Sequence, residues 1–454
     1  MITKETGDMK SFSYCLMLVL LSACSGAGDA KKLDHFFDEQ LISWNQKLTQ
    51  VVITDVLTPP VCSRVYAYTN VAAYEGLRPG NADHNSLAGV LNDLDKLPQP
   101  QGSLNQYYFP LSSIIAFSTV AQKMVFNSEA MADYEADFLS KLDEFELDEE
   151  TKQRSIEFGR QVANHIIEWA SKDGYLQRNA LPGYIVTRES GRWQPTPPDY
   201  MDAIEPNWHS LRPFLLDSAS QFRPEKPEPF DSMVNSGYYK YALEVYNSVS
   251  AKDKEQVEIA KFWDCNPNIS VTQGHVMYFQ QKISPAGHWM NVAAMACRNK
   301  KLDAIETAEV LSKVAVTIAD GFINCWEAKF HYNTLRPETI INRYIDKDWR
   351  PLLQTPPFPE YPSGHSVISG ASATVLTHFF GDGFSYIDST EVPFGLPARQ
   401  FKSFNDAAFE ASMSRLYGGI HFLPSLNRGL EEGRKVGGFA LSKFKDKKIQ
   451  NDGL

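Results

Sequence analysis

The chain has 454 residues, of which 43% are hydrophobic and 22% charged, and a formal net charge of −11. That length allows a large core and up to two or three domains. The composition argues against a disordered, collagen-like or membrane-embedded chain. The acidic balance, with no basic run or base-stacking motif, argues against a nucleic-acid partner, which needs a basic face to neutralise phosphates.

Met9 and Lys10 open a short segment with an apolar run from Leu16 to Leu21. The run is too short for a spanning helix and has the length of a signal-peptide core. It ends in Leu21-Ser22-Ala23-Cys24, which resembles a bacterial lipobox. The expectation is a lipoprotein signal peptide over residues 1–24, cleavage before Cys24, and acylation of that cysteine. The product would be an exported bacterial lipoprotein, on the periplasmic side or at the outer membrane, touching membrane only through its lipid anchor. An ordinary signal peptide with a chance cysteine is the alternative. Export permits disulfides. Cys62, Cys265, Cys297 and Cys325 then allow three full pairings, or remain buried thiols. None has zinc-ligand spacing.

Helical patterning dominates the rest of the chain. Val61, Val65, Tyr68 and Ala72 share one face, as do Gly159, Val162, Ile166 and Trp169. The longest stripe runs Ala308, Leu311, Ala315, Ile318, Phe322, Trp326. Intervals of three and four mark buried helix faces. Strict alternation is scarce, so the fold reads as all-α. Between about Gln177 and Pro229 the chain is instead rich in proline and aromatics. Tryptophans that need burial and the lack of Gly/Ser richness favour an ordered covering loop over a linker.

Three segments collect anion-binding groups. In Lys329-Phe-His-Tyr-Asn-Thr-Leu-Arg336-Pro337, a lysine at a helix end and an arginine after the turn can converge on one oxyanion. In Pro362-Ser363-Gly364-His365, Ser363 and Gly364 sit at the start of a helix of small residues. Backbone N–H groups and the helix dipole there favour an anion, and His365 is placed for proton transfer. In Ser414-Arg415-Leu-Tyr-Gly-Gly-Ile-His421, Arg415 lies near a helix end and Gly418-Gly419 re-aims the chain. His421 offers an imidazole nitrogen as nucleophile or ligand. Gly429, Gly433 and Gly437, four apart, suggest a closely packed helix behind the site.

Together these segments resemble the three-part motif of the superfamily of vanadium haloperoxidases and type-2 phosphatidic acid phosphatases. The Trp193 to Phe214 stretch, Phe262 to Pro267 and Tyr361 look like bacterial vanadium-dependent haloperoxidases. The resemblance covers the chain from about residue 35. It implies a single domain over residues 25–454 holding two four-helix bundles, with the catalytic motifs in 326–425 and the site in the second bundle. It implies one vanadate per chain, with His421 as axial ligand. Lys329, Arg336 and Arg415 would neutralise its oxygens, and Ser363 and the Gly364 N–H would hydrogen-bond them. His365 would help deprotonate hydrogen peroxide, with Lys329 polarising the bound peroxide. Halide would be oxidised to a hypohalous species, iodide or bromide rather than chloride. Trp326 and Phe358 are candidates for a halide pocket.

One position departs from the motif. The family usually carries an aspartate four residues after the histidine, and here that residue is Ser425. A serine would orient His421 only weakly. Ser425 counts against an efficient phosphatase, and whether it weakens vanadate binding is left open. The alternative function is an acid phosphatase with His421 as the phosphoryl-accepting nucleophile. The halide, the organic acceptor and the oligomeric state are left open.

Overall fold

The computed structural model describes residues 32–444 apart from residues 188 and 268. The leader and Cys24 lie outside the described residues. Thirteen helices among them carry the architecture: α1 (Gln40–Thr54), α2 (Pro59–Leu77), α3 (Phe109–Met124), α4 (Ser128–Leu142), α5 (Glu149–Ser171), α6 (Gly237–Ala251), α7 (Lys254–Phe262), α8 (Pro285–Lys300), α9 (Ala304–Tyr332), α10 (Pro337–Tyr344), α11 (Gly364–Phe380), α12 (Phe404–Tyr417) and α13 (Leu423–Lys443). The fold is predominantly α-helical as expected, with two short antiparallel hairpins beside the helices. One pairs β1 (Ser270–Gln273) with β2 (Val276–Phe279), the other β3 (Tyr386–Asp388) with β4 (Arg399–Phe401). Three- and four-residue strands carry too little alternation to register in the sequence.

The 29-residue α9 organises the rest. Its start is fixed by a capping box. The Asp303 carboxylate accepts from the Glu306 N–H at 2.9 Å, and Glu306 accepts from the Asp303 N–H at 3.2 Å. It ends at Asn333, which adopts φ 51° as C-cap. Between these ends the stripe from Ala308 to Trp326 is buried. One side of α9 packs on α2, which packs in turn with α3 and α5, while α4 lies against α3. The other side packs on α11, which packs with α12 and α13. One hydrophobic core runs through both groups, from Leu33 to Phe444. Val61, Val65, Tyr68 and Ala72 of α2 and Gly159, Val162, Ile166 and Trp169 of α5 are all buried.

The closest approach in the second group is between α11 and α13, and glycine permits it. A Cβ on Gly429 would lie 2.8 Å from the Ser363 carbonyl oxygen. On Gly433 it would overlap the Val367 carbonyl, and on Gly437 it would meet the Ala371 carbonyl at 2.9 Å. The four-residue glycine period is therefore a backbone-to-backbone seam behind the first turn of α11. No helix among the described residues is long and apolar enough to cross a membrane.

The proline- and aromatic-rich stretch is an ordered cover over α9. Trp193 and Trp208 are buried. Phe214, Leu215 and Leu216 donate their N–H groups to the buried Asp320 carboxylate on α9 at 2.6, 2.7 and 3.0 Å. Further along, Arg223 pairs with Glu327 and Tyr361 donates to the Glu225 carbonyl. Cys62, Cys265, Cys297 and Cys325 are buried free thiols, so the pairing alternative is not realised.

Candidate functional site

The last turn of α9 delivers Lys329 into the interior, where it is fully buried. Its ammonium donates to the carbonyls of Pro359, Glu360 and Pro362 at 2.9, 3.0 and 2.5 Å. All three N–H groups are thereby engaged. Lys329 therefore presents a fixed positive charge, and a direct bond from it to an anion would require exchanging one carbonyl. Burial pushes its pKa down to about 8. The Phe358 ring lies beneath the ammonium at 5.2 Å.

Arg336 precedes Pro337 at the start of α10 and is also fully buried. Its Nε donates to the Phe358 carbonyl, and Nη1 to the Ile420 carbonyl, each at 2.9 Å. Nη1 also lies 3.0 Å from His421 Nε2. Nη2 is buried with no partner.

Ser363 caps α11, with its side chain accepting from the Ser366 N–H at 3.4 Å. Gly364 and His365 are the first two helical residues, so their N–H groups have no intrahelical acceptor. A Cβ on Gly364 would stand 3.7 Å from the Trp326 ring and 3.9 Å from Lys329 Cε, so the glycine faces those two residues. His365 Nε2 is buried and without a partner. Burial, then Arg415, hold the His365 imidazole well below its usual pKa, while a hydrogen bond to the Trp263 backbone opposes them.

Arg415 sits in the last turn of α12, as its helical spacing required. Nη1 donates to the Trp263 carbonyl at 2.5 Å, Nη2 lies 4.0 Å from Asp264 Oδ1, and Nε is buried without a partner. The helix stops at Tyr417, and Gly419 at φ +80° turns the chain toward His421.

His421 is buried and held from both sides. Nδ1 lies 2.7 Å from Glu360 Oε1, which also accepts the Phe422 N–H at 3.2 Å. The other nitrogen faces Arg336, a guanidinium that can only donate. Nε2 must therefore present a lone pair, and the ring proton sits on Nδ1, directed at Glu360. Burial, then Arg336 and Lys329, depress the His421 pKa well below its usual value and keep the ring neutral.

A narrow cavity opens onto these groups. Gly364, His365, Arg415 and His421 line it together with Trp326 and Phe358. The last two rings pack at 4.9 Å, and Trp326 Nε1 donates to the Ile204 carbonyl of the covering loop at 3.2 Å. Three buried polar atoms at one site, Arg336 Nη2, Arg415 Nε and His365 Nε2, thus lack protein partners. Buried orphans of this kind call for a missing ligand, and two guanidinium donors with a helix N-terminus specify an oxyanion.

The family model described as the VCPO second helical-bundle domain matches residues 342–449. A solved structure described as the first bacterial vanadium-dependent iodoperoxidase is 42% identical, with a TM-score of 0.85 over 90% of this chain and 98% of that one. The chain belongs to the vanadium-dependent haloperoxidases. Holo- and apo-type bacterial vanadium-dependent chloroperoxidases share the fold at 17% and 16% identity. Their TM-scores are 0.67 and 0.64, over 85% of this chain and 92% and 95% of theirs. A comparison with curated proteins returned no match. The haloperoxidase reading therefore stands, with vanadate as cofactor, and nothing favours the phosphatase alternative.

One expectation about the haloperoxidase site is corrected. Ser425 does not orient His421, and the histidine is not weakly held: Glu360 supplies the carboxylate from the other side of the motif. The Ser425 hydroxyl is buried near Glu360 and helps to lower its pKa, yet it closes no well-formed hydrogen bond. Ser425 therefore gives no ground against phosphatase chemistry. Glu360 did leave a signal, as the sole charged residue in Pro356-Pro357-Phe358-Pro359-Glu360-Tyr361-Pro362. Asp264 and the Trp263 carbonyl, which position Arg415, belong to a segment noted for its resemblance without an assigned role.

Proposed function

We propose that this haloperoxidase oxidises iodide or bromide with hydrogen peroxide, and that His421 Nε2 would hold the vanadate. The observation carrying the second part is the pair of hydrogen bonds that force a lone pair onto Nε2, between Glu360 and Arg336. Arg336 Nη2 and Arg415 Nε, left without protein partners, would bind the anion's oxygens, joined by the Ser363 hydroxyl and the Gly364 N–H. Lys329 would add its charge. Bound vanadate supplies a Lewis acid that activates peroxide toward halide without changing oxidation state. His365, neutral and with a free Nε2, would accept the peroxide proton. Trp326 and Phe358 would give the halide a partly dehydrated, apolar wall. The iodoperoxidase relative at 42% identity supports iodide.

The test monitors triiodide formation from iodide and hydrogen peroxide by the metal-stripped protein, with and without orthovanadate, alongside p-nitrophenyl phosphate hydrolysis. Vanadate-dependent oxidation, competed by phosphate and lost in His421→Ala, is the expected result. Phosphate-ester hydrolysis inhibited by vanadate, with no halide oxidation, would reverse the assignment. The lipobox reading remains a further proposal: labelled fatty acid should enter the protein and be absent from a Cys24→Ser variant.

A further inference from the structure

Beside Arg415 lies a second buried cluster; its Cys265 also lines the active-site cavity, but none of its residues has a role in the reaction proposed above. His288 on α8 is fully buried. Its Nδ1 faces Cys265 Sγ at 3.4 Å and Glu391 Oε1 at 3.4 Å. All three atoms lie within 4.8 Å of one another. Glu391 Oε1 is buried and forms no hydrogen bond, so its closeness to Nδ1 is an approach without a bond. On the far side of the ring, Nε2 meets Asp388 Oδ2 at 2.8 Å, and Asp388 is itself fixed by the Thr390 N–H at 2.9 Å.

We propose that Cys265, His288 and Glu391 form a buried binding site for a divalent transition metal, zinc being the best fit. Thiolate, imidazole and carboxylate are the zinc donor set. Bond lengths of about 2.3 Å to sulfur and about 2.0–2.1 Å to nitrogen and oxygen put neighbouring donors roughly 3.3–3.6 Å apart on a tetrahedron. Both measured approaches to Nδ1 fall within that range. The Asp388 carboxylate on the opposite nitrogen is the partner that orients a metal-bound histidine and fixes its tautomer. Sequence spacing concealed the site, because its ligands come from three separate segments, at residues 265, 288 and 391.

Metal binding displaces protons from its ligands. The site also has a structural consequence. The Trp263 ring stacks on His288 at 4.4 Å, and the Trp263 carbonyl accepts from Arg415. A metal here pins the segment that holds an oxyanion-binding arginine.

The experiment uses the whole protein purified without a metal-affinity step. Elemental analysis should find about one zinc per chain. Cobalt added after zinc removal should give a thiolate-to-cobalt charge-transfer band, and zinc should raise Tm with increasing concentration. Cys265→Ser should abolish the band, and Glu391→Gln should keep it while weakening cobalt affinity about tenfold or more. The milder variant keeps the test open where Cys265→Ser fails to fold. Protein that purifies without metal and gives no band with added cobalt would overturn the proposal. So would zinc or cobalt binding unaffected by both substitutions. None of these readouts depends on vanadate or halide.

Discussion

Glu360 Oε1 stands 2.7 Å from His421 Nδ1, although the two residues are 61 positions apart in the chain. This contact fixes the imidazole tautomer, and with it the nitrogen that the proposed vanadate site would use. A carboxylate on the far nitrogen of a ligating histidine contributes about 10–100-fold to affinity when it is removed. Glu360→Gln should therefore raise the vanadate dissociation constant by about that factor, with Ser425→Ala remaining near wild type. Equilibrium dialysis of vanadate against both variants checks this. Equal losses would restore Ser425 as an orienting group.

The same carboxyl sets a pH dependence with opposite signs for binding and for stability. Burial pushes Glu360 up to about 7, against the pull of Arg336 and Lys329. The ionised form is the stronger acceptor from Nδ1, so vanadate affinity should fall as pH drops below about 7. The corresponding acid limb should be missing from Glu360→Gln, a comparison that cancels the titration of vanadate itself. For stability the raised pKa works the other way. Between about 4.5 and 7 the folded chain holds the proton that the unfolded chain has released. This group therefore makes the apo-protein less stable as pH rises through that window. Urea melts should show wild type losing ground to Glu360→Gln between pH 5 and pH 8.

Legibility in the sequence depends on the range of each signal. The helix stripe from Ala308 to Trp326, the turn at Gly418-Gly419 and the start of α11 at Ser363 are local periodicities and caps, and the structure places each where its spacing required. The proposed anion-binding residues are legible because three short motifs each carry their own logic. Glu360 stands out in its proline-rich segment, but its role is not legible, because it exists only across a long loop closure, and the motif's own aspartate position points to Ser425 instead. For Lys329 spacing suggests a direct contact, since it cannot show that three backbone carbonyls take its protons first. The two hairpins and the Cys265–His288–Glu391 cluster are products of tertiary packing alone.

The glycine seam between α11 and α13 makes two substitutions on one helix diverge. A Cβ at Gly433 would overlap the Val367 carbonyl and lie 2.8 Å from the Ala371 nitrogen, both backbone atoms that cannot swing away. Gly433→Ala should cost about 1–3 kcal/mol or more. It should also loosen vanadate binding, because the strain falls on the first turns of α11. Gly438 is exposed on the same helix, and its Cβ would meet nothing within 4 Å. Gly438→Ala should stabilise by up to about 1 kcal/mol through helix propensity. Thermal melts of the two variants should move in opposite directions, and a shared direction would mean that the seam is looser than described.

Asp320 offers a test of the covering loop. Its carboxylate collects the N–H groups of Phe214, Leu215 and Leu216 from within α9. Burial pushes its pKa up to about 6 even though all three bonds pull it down. Three converging donors still require an ionised acceptor at neutral pH. Asp320→Ala would leave three backbone N–H groups without that partner, each worth about 1–3 kcal/mol if it stays buried. Relaxation of the loop toward water would recover part of this, so a net loss of about 3 kcal/mol is expected. The loop also bonds to Trp326 in the cavity wall through the Ile204 carbonyl. Its release should thus raise the KM for halide while leaving vanadate affinity close to wild type. Proteolysis within residues 177–229 should become faster in the variant, and unchanged protection there would show that other contacts hold the cover in place.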